Sequence, residues 1–370
     1  MFGWYGAVLG LALVSSWLIL WQVPLVGRTA RKVDRSQTVS VIIPARNEAS
    51  NLPILMEALA KQKFHPFEII VVDDDSEDQT AQIAFEYGAQ VLSFQPDASG
   101  WVGKSAACWA GAQVAKGDYL LFLDADVFLP DVSSLGKIIA EFQAQNACGI
   151  LSVQPYHVVS KAYENLSAVF NLLVLAGMNR FSFLQDRLEP AGAFGPSLLC
   201  RRNTYFEVGG HARTRDAIME NVDLGKYFGE NNLPVRLYGG KGVLHFRMYP
   251  DGLAALIQGW SKSFATASLA THPLIIVGIS FLMAGACFAF SFPIYFLLTG
   301  QWLAGFIAIV GYMLFFGHFY RLARLAGNFS WQAILAFPIL FVFFIGLFIW
   351  SFIKTCILRQ VSWKGRNISL

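Results

Sequence analysis

The sequence predicts an α/β domain with a mostly parallel sheet, placed between apolar segments at the two ends of the chain. Short apolar runs alternate with helix-like stretches from about residue 38 to residue 250, the pattern of a parallel sheet covered on both faces. The ends are too apolar for an ordinary soluble protein, because 55% of the 370 residues are hydrophobic and only 14% are charged. These observations predict a central domain held at a membrane.

Four strands are predicted in the first part of this domain. They are Val39-Ser-Val-Ile-Ile43, Glu68-Ile-Ile-Val-Val72, Val91-Leu-Ser-Phe94 and Tyr119-Leu-Leu-Phe-Leu123. Polar residues follow three of these strands, at positions 44–48, 73–78 and 124–126. In parallel sheets ligands bind beyond the carboxyl ends of the strands, so we expect the three polar clusters to form one site.

The segment Asp124-Ala125-Asp126 is the candidate metal motif. Its two carboxylates are one residue apart at the exit of a buried strand, so they point the same way and can share one divalent cation. Mg²⁺ and Mn²⁺ bind one or two protein carboxylates and complete their shell with substrate phosphates. The motif therefore favours an enzyme that uses a nucleotide diphosphate. Taken alone, the motif is a weak signal, and a solvated turn at the strand end is the favoured interpretation.

Residues 1–27 are predicted to be an N-terminal membrane anchor. The chain carries no charge from residue 2 to residue 26, which is long enough for a helix to span a bilayer. Arg28, Arg31, Lys32 and Arg35 follow, and no cleavage site with small residues intervenes. Basic residues mark the cytoplasmic side, so the central domain is predicted to be cytoplasmic.

The C-terminal part is predicted to hold further membrane segments over residues 273–353. Apolar runs cover residues 273–298, 302–317 and 332–353; the first and third can span, whereas the middle run is marginal. Residues 251–272 are predicted to be interfacial and residues 354–370 to be a basic tail. The pattern predicts a multi-pass protein of the cell membrane, with the number of C-terminal crossings left open. The net charge of +3 is small, and the basic residues cluster beside the apolar segments. This distribution favours a lipid bilayer over nucleic acid as partner.

Three segments at the strand ends resemble the nucleotide-site signatures of family 2 glycosyltransferases with the GT-A fold. They are Val39-Ser-Val-Ile-Ile-Pro-Ala-Arg-Asn-Glu48, Val71-Val-Asp-Asp-Asp-Ser-Glu-Asp78 and Leu123-Asp-Ala-Asp126. A narrower resemblance, to the bacterial 4,4′-diaponeurosporenoate glycosyltransferases of staphyloxanthin-type carotenoid synthesis, includes Gly103-Lys104-Ser105, Phe194-Gly-Pro196, Gly209-Gly-His211 and Trp363-Lys-Gly-Arg366. The resemblance implies a GT-A domain, with its Rossmann-like sheet, over residues 38–250.

The resemblance also implies the components of the donor site. The implied donor is a UDP-sugar, UDP-glucose in the first place, and the implied cofactor is Mg²⁺ or Mn²⁺. Residues implied to bind the donor are Pro44, Arg46 and Glu48 in a uridine pocket, Asp74 at the base or ribose, Lys104 near the nucleotide, and Asp124 at the ribose or metal. Asp126 is implied to hold the metal. A flexible lysine suits phosphate, but a solvated lysine at the start of a helix is the alternative for Lys104.

The implied catalytic position departs from the family pattern. Inverting family 2 enzymes usually carry Glu-Asp-x-x-Leu, in which the Asp removes the acceptor's proton, whereas this chain has Glu220-Asn221-Val-Asp223-Leu224. An Asn cannot act as a base, so Glu220 is the first catalytic candidate and Asp223 the second. A carboxylic acid acceptor is already ionised at neutral pH and needs no base. Asn221 therefore suggests that a glycosyl ester is formed.

The acceptor implied by the resemblance is lipophilic, namely a carotenoid acid similar to 4,4′-diaponeurosporenoate. Candidate acceptor contacts are Trp260, Arg247 and His157. Trp260 is equally consistent with a tryptophan at the membrane interface, and a local hydrogen-bonding role is favoured for His157. Two alternatives remain open: transfer to the hydroxyl group of another lipid, such as a hopanoid, sterol-like or ceramide-like molecule, and a non-catalytic GT-A binding module.

Overall fold

The structure is a computed structural model that describes residues 2–29, 31–95, 101–215, 217, 219–261, 270–353, 360–363 and 366–369. The α-helices in these residues are α1 (Phe2–Ile19), α2 (Leu52–Ala60), α3 (Thr80–Glu86), α4 (Lys104–Val114), α5 (Ser134–Gln143), α6 (Ala168–Gly177), α7 (Arg202–Glu207), α8 (Glu220–Glu230), α9 (Leu253–Trp260), α10 (Pro273–Leu298), α11 (Trp302–Ala326), α12 (Trp331–Leu335) and α13 (Phe337–Phe352). The strands are β1 (Val39–Ala45), β2 (Glu68–Asp73), β3 (Gln90–Ser93), β4 (Tyr119–Leu123), β5 (Val127–Phe128), β6 (Ile150–Gln154), β7 (Tyr156–His157), β8 (Ser197–Arg201), β9 (Val235–Gly239), β10 (His245–Phe246), β11 (Gln360–Trp363) and β12 (Arg366–Ser369).

A seven-stranded sheet has the order β3-β2-β1-β4-β8-β6-β9. Strand β1 runs parallel to β2 and β4, and β2 runs parallel to β3. Strand β8 is antiparallel to both β4 and β6, while β6 and β9 are parallel. The predicted α/β class with a mostly parallel sheet is confirmed. The antiparallel β8, which lies beside the strand carrying the Asp-x-Asp motif, is the feature that the sequence analysis did not anticipate.

The chain divides into two compact units. The sheet unit contains residues 24–156 and 192–247, and the helical unit contains residues 1–23, 157–191 and 248–370. The core of the sheet unit is formed by its apolar central strands, and all five residues of β4 are buried. The near-continuous apolar sequence of β1 and β4 follows from this burial on both faces.

In the helical unit, α1 packs closely against α10 at two glycines. A Cβ atom at Gly285 would lie 2.2 Å from the Cβ atom of Ala12, and one at Gly278 would lie 2.3 Å from Cγ2 of Ile19. A larger residue at either position would push the helices apart. Close approach through small residues is typical of helices that pack in membranes.

The apolar segments differ in length from the sequence prediction. By length and composition, α10 and α11 are the two helices among the described residues that qualify to cross a bilayer. The expectation for the middle run was wrong, because α11 continues past residue 317, through Arg321 and Arg324, to Ala326. Helix α13 has 16 residues, fewer than the roughly 20 of a typical span. The preceding run is broken after Leu335, and Pro338 in the first turn of α13 lacks the N–H that a continuous helix needs there.

The N-terminal helix is also shorter than expected. Helix α1 ends at Ile19, so the expectation of one helix across residues 2–26 was wrong for its last turns. Pro24 accepts a hydrogen bond from the backbone N–H of Gly239, and Leu25 forms a parallel bridge to Gly239 in the sheet unit. The membrane anchor itself stays a prediction. Residues 262–269 of the predicted interfacial segment, and residues 354–359, 364, 365 and 370 of the predicted basic tail, lie outside the described residues.

Candidate active site

The carboxyl ends of β1, β2 and β4 lie side by side in the sheet unit. The parallel register pairs Ala45 of β1 with Asp73 of β2, and Ile42 of β1 with Phe122 of β4. The polar residues that follow these three strands therefore emerge at the same edge of the sheet. Because parallel strands present their carboxyl ends together, this edge is the expected ligand edge of the fold.

Arg46 ties the loop after β1 to the loop after β2. Its Nη1 donates to the backbone carbonyl oxygens of Asp74 and Asp75, at 2.6 and 2.9 Å, and lies 3.3 Å from the Asp75 carboxylate. Both Arg46 and Asp74 are buried. The sequence predicts both residues in a nucleotide pocket. In the structure, the Arg46 side chain connects the loops that follow β1 and β2.

Pro44 and Glu48, the other members of the implied uridine pocket, lie at the same strand end. Pro44 is the last but one residue of β1, and both side chains are half-buried. The backbone N–H of Glu48 donates to Oγ1 of Thr80 at 2.8 Å, and Oε2 of Glu48 accepts from the Asn51 amide at 2.8 Å. These bonds hold Glu48 at the start of α2. Its contact with a uridine stays a prediction.

Lys104 lies between two carboxylates. Its Nζ is 2.5 Å from Oδ1 of Asp124 and 3.9 Å from Oε1 of Glu220, and it donates to the carbonyl oxygen of Gly195 at 2.9 Å. Burial alone would lower the pKa of Lys104, but the charges of Asp124 and Glu220 outweigh this effect and raise the pKa above its usual value. The ammonium group stays charged, and the alternative of a solvated lysine is wrong.

Two glycine-dependent features bring these side chains together. Gly103 precedes α4 with φ +90°, so the helix begins at Lys104 itself. A Cβ atom at Gly192, where φ is +155°, would lie 2.3 Å from the carbonyl oxygen of Val222. The segment after Gly192 can therefore lie against the start of α8, where the Ala193 N–H donates to the Asn221 carbonyl oxygen at 3.2 Å. The sequence analysis missed Gly192 and the role of the Gly195 carbonyl group, although Phe194-Gly-Pro196 belonged to the resemblance.

Asp124 and Asp126 are both half-buried, and the side chain of Ala125 between them is buried. The Asp124 N–H donates to the carbonyl oxygen of Pro196 at 3.1 Å, which fixes the turn after β4 against the residue before β8. Within the described ranges, no group of three or more His, Cys, Asp or Glu side chains could hold a metal ion. Two accessible carboxylates fit an ion whose remaining positions are filled by phosphate oxygens, which is the usual arrangement for Mg²⁺.

The two catalytic candidates on α8 have different surroundings. Glu220 is the first residue of the helix and belongs to the cluster around Lys104. Asp223 is one turn further along, where its Oδ1 accepts from Lys226 at 3.0 Å. The structure therefore connects Glu220 to the motif residue Asp124 through Lys104. The assignment of Glu220 as a catalytic group stays a prediction.

Two of the candidate acceptor contacts, Trp260 and His157, lie in the helical unit. Trp260 is buried, stacks on Phe170 with ring centroids 4.7 Å apart, and donates from its indole N–H to Ser167 at 3.0 Å. His157 is fully buried, and its Nδ1 is 3.0 Å from the Asn171 amide nitrogen. Burial lowers the pKa of His157 to about 4, although Glu164 acts in the opposite direction. These contacts are those of packing residues, and acceptor roles for both stay predictions.

Arg247, the third candidate, lies in the sheet unit directly after β10. In that strand Phe246 pairs with Val127, the residue after Asp126. Arg247 is half-exposed. Its backbone position is therefore close to the metal motif, which the sequence had not indicated.

The comparisons with known proteins identify the fold and the family of this chain. The family model "Glycosyl transferase family 2" matches residues 40–205, which include β1, β2 and β4 with the polar residues that follow them. A mannosyltransferase from Pyrobaculum calidifontis, solved in complex with GDP-Man and Mn2+, has a similar fold with a TM-score of 0.55. It is 16% identical and the match covers 95% of this chain and 96% of that one. Fold and site together define a glycosyltransferase of the GT-A type.

The relatives specify the family more narrowly. A 4,4'-diaponeurosporenoate glycosyltransferase from Staphylococcus haemolyticus is 39% identical over 98% of this chain and 96% of its own length. The protein of the same name from Staphylococcus aureus strain MRSA252 is 36% identical over 90% of this chain and 89% of its own. The chain belongs to the family of the 4,4'-diaponeurosporenoate glycosyltransferases.

Proposed function

We propose that this glycosyltransferase moves a glucosyl group from UDP-glucose to the carboxylate of a carotenoid acid, with inversion at the anomeric carbon, and forms a glycosyl ester. The observation that carries the proposal is the position of Lys104, whose Nζ is 2.5 Å from Asp124 and 3.9 Å from Glu220. The Lys104 ammonium group thus joins the metal motif to the helix start at which inverting family 2 enzymes usually hold their catalytic base. The name of the Staphylococcus relatives supports the class of acceptor.

On the donor side, the loops braced by Arg46 present Pro44, Glu48 and Asp74 to the uridine. Lys104 faces the diphosphate, where a positive charge favours the departure of UDP. A Mg²⁺ or Mn²⁺ ion, held by Asp124 and Asp126, supplies further positive charge for the leaving diphosphate when it is bound. The Mn2+ in the mannosyltransferase of similar fold supports a divalent ion of this kind.

On the acceptor side, a carboxylate oxygen forms the bond to the anomeric carbon while the bond from that carbon to the diphosphate oxygen breaks. The bonding electrons leave with UDP. A hydroxyl acceptor would have to lose its proton, for which a general base contributes about 10²- to 10⁴-fold. A carboxylic acid with a pKa of about 4 to 5 is already ionised at neutral pH. The presence of Asn221 in place of the usual Asp is in accord with an acceptor that needs no base.

The helical unit provides the reason for a lipophilic acceptor. Several of its large apolar side chains are exposed, among them Leu298 at 83%, Leu303 at 75%, Trp302 at 71% and Val342 at 70%. An exposed apolar surface of this extent is stable in lipid and unfavourable in water. We therefore place the protein in the cell membrane as a multi-pass enzyme, with the sheet unit in the cytoplasm, where the donor is dissolved.

The test is transfer by the purified full-length protein in detergent or nanodiscs. With Mn²⁺, radiolabelled UDP-glucose and a C30 apocarotenoid acid, the expected product is a labelled lipid that mild alkali cleaves. Addition of EDTA should abolish its formation, and GDP-mannose should be a poor donor in a parallel reaction. An alkali-stable product would show transfer to a lipid hydroxyl, and the absence of both transfer and donor hydrolysis would show a binding module. Either result would overturn the proposal.

A further inference from the structure

A buried pair of polar side chains, Tyr205 and His211, lies behind the candidate active site. Both are 0% exposed. The Tyr205 hydroxyl is 2.8 Å from Nδ1 of His211, and it accepts a hydrogen bond from the backbone N–H of His211 at 3.0 Å. Burial of polar groups costs desolvation free energy, so such groups are rarely found in a protein core without hydrogen-bonded partners.

The turn before His211 is built to bring these groups together. Gly209 and Gly210 have φ values of +88° and +49°. A Cβ atom at Gly210 would lie 2.5 Å from the ring of Tyr205, so a side chain there would drive the tyrosine away from the histidine. The segment Gly209-Gly-His211 therefore has a structural purpose, which is the close approach of Tyr205 and His211.

The hydrogen bonds determine where the proton of His211 lies. The Tyr205 oxygen already accepts from a backbone N–H, and its own hydrogen needs an acceptor inside the core. Nδ1 of His211 is the acceptor at hand, so the ring nitrogen that carries the hydrogen is Nε2. Burial and, to a smaller extent, the charge of Lys104 lower the pKa of His211 to about 3, although Asn221 acts in the opposite direction. The ring is therefore neutral at physiological pH.

Asn221 lies between this ring and Glu220. It is 5% exposed, and its Nδ2 donates to Oε1 of Glu220 at 3.2 Å. The Asn221 side chain interacts with the His211 ring. Among the described residues, Nε2 of His211 has no hydrogen-bond partner. An Nε2–H that faces the amide selects the orientation with Oδ1 towards the ring and Nδ2 towards Glu220. The reverse orientation would place an amide oxygen against the Glu220 carboxylate, which is unfavourable.

We propose that Tyr205 and His211 are positioning residues that set the orientation of the Asn221 amide and, through it, the place of the Glu220 carboxylate beside Lys104. The Tyr205 hydroxyl donates to Nδ1 of His211, the His211 ring interacts with the Asn221 side chain, and the Asn221 amide donates to Glu220. The Phe122 ring packs edge-to-face against the His211 ring, with ring centroids 5.1 Å apart. Asp124 follows Phe122 two residues later in the chain. The inference rests on the proposed function in one respect, that Glu220 faces the acceptor.

Tyr205→Phe is the first test, because it removes only the hydroxyl group at the far end of this series. A displacement of about 1 Å in a catalytic constellation can cost about 10²-fold in rate. We expect kcat for glucosyl transfer to fall about two- to fivefold, less than in Glu220→Gln because the Glu220 carboxylate is displaced but not removed, while KM for UDP-glucose stays within about twofold, since the donor side is untouched. Tyr238→Phe is the matched control: this hydroxyl bonds to Glu141 and Gln145 away from the site, and kcat should not change. An unchanged kcat in Tyr205→Phe overturns the inference.

His211 variants provide a rescue test that does not depend on Tyr205. His211→Gln retains an N–H donor near the position of Nε2 and should keep most of the activity. His211→Leu lacks the donor and should resemble Tyr205→Phe, with folding of each variant checked by its thermal unfolding midpoint. Equal activities of the Gln and Leu variants would contradict the inference.

A double-mutant cycle separates positioning from a general loss of stability. In an Asn221→Ala background the series is already interrupted, so Tyr205→Phe should cause no further loss in kcat, whereas independent effects would add. ¹⁵N NMR of histidine-labelled protein should show His211 protonated at Nε2 and bare at Nδ1. If the wild-type protein transfers no sugar to a carotenoid acid, the proposed function has failed. If it does and the two mutations add, only the positioning inference has failed.

Discussion

The two carboxylates on either side of Lys104 are held in place by different means. Asp124 follows a central strand that is hydrogen-bonded to β1 on one side and to β8 on the other, and its N–H is bound to Pro196. Glu220 is the first residue of α8, and the residue before it, Met219, provides no side-chain cap. The first carboxylate is thus fixed by sheet register, whereas the second depends on where a helix starts.

This difference shows how one site can combine a rigid and an adaptable half. The sheet edge presents Asp124 in the same place whatever the acceptor is. The start of α8 favours negative charge, since the N-terminal end of a helix is partly positive. It is held where Asn221 and Val222 of the helix contact Ala193 and Gly192. In the proposed function, the rigid half with Asp124 is the donor half and the adaptable half with Glu220 is the acceptor half.

The largest effect is expected at the rigid half. Asp126→Asn removes a negative charge from the metal motif, and transfer should fall about 10²- to 10³-fold, as for the loss of other groups that stabilise transition-state charge. Binding of Mn²⁺, measured by electron paramagnetic resonance, should weaken in parallel. Asp118→Asn, at the opposite end of β4, is the control: Asp118 accepts from the backbone N–H of Thr38 at 2.8 Å and should not affect activity. Unaltered Mn²⁺ binding in Asp126→Asn would contradict the assignment of the donor half.

Lys104 belongs to both halves, and its replacement should have an intermediate effect. Lys104→Met leaves Asp124 and Glu220 without their shared cation, so we expect kcat/KM for UDP-glucose to fall about 10- to 10²-fold. Lys104→Arg should recover part of this loss through its charge. The measurement is steady-state kinetics of the wild-type protein and the two Lys104 variants, with the donor and the acceptor varied in turn. Equal losses in the Met and Arg variants would show that geometry, and not charge, is the contribution of this residue.

The smallest loss is expected at the adaptable half. Glu220→Gln retains an oxygen for Asn221 and should slow transfer less than about 10-fold with a carotenoid acid, because an ionised acceptor needs no base. A loss of about 10²- to 10⁴-fold would instead identify Glu220 as a true base. Glu230→Gln, at the other end of α8, serves as control, and Asp223→Asn tests the second candidate. A larger effect for Asp223→Asn than for Glu220→Gln would reverse their assignment.

The donor half was largely predictable from sequence. The strands before Arg46, Asp74 and Asp124 are short apolar runs, and in a parallel sheet their polar successors must emerge at one edge. The acceptor half was less so. Glu220 was identified as a candidate, but its proximity to Lys104 depends on Gly192 and on the antiparallel β8, neither of which a local pattern reveals. The helical unit gave the opposite lesson, since its apolar composition was plain but helix ends at Ile19, Ala326 and Leu335 did not coincide with the ends of the apolar runs.

The sequence alone therefore determined the class of the sheet, the edge at which the three polar segments emerge and the residue types at that edge. These follow from local hydrophobic periodicity and from the chemistry of carboxylate and ammonium groups. The tertiary structure decided that Lys104 bridges Asp124 and Glu220, and that His211 is buried as a neutral partner of Tyr205. Lys104 and Glu220 are 116 positions apart in the chain, whereas Tyr205 and His211 are only six positions apart and owe their contact to the turn at Gly209 and Gly210. The proximity of Lys104 and Glu220 arises only when strand order and packing bring these residues within a few ångströms of one another.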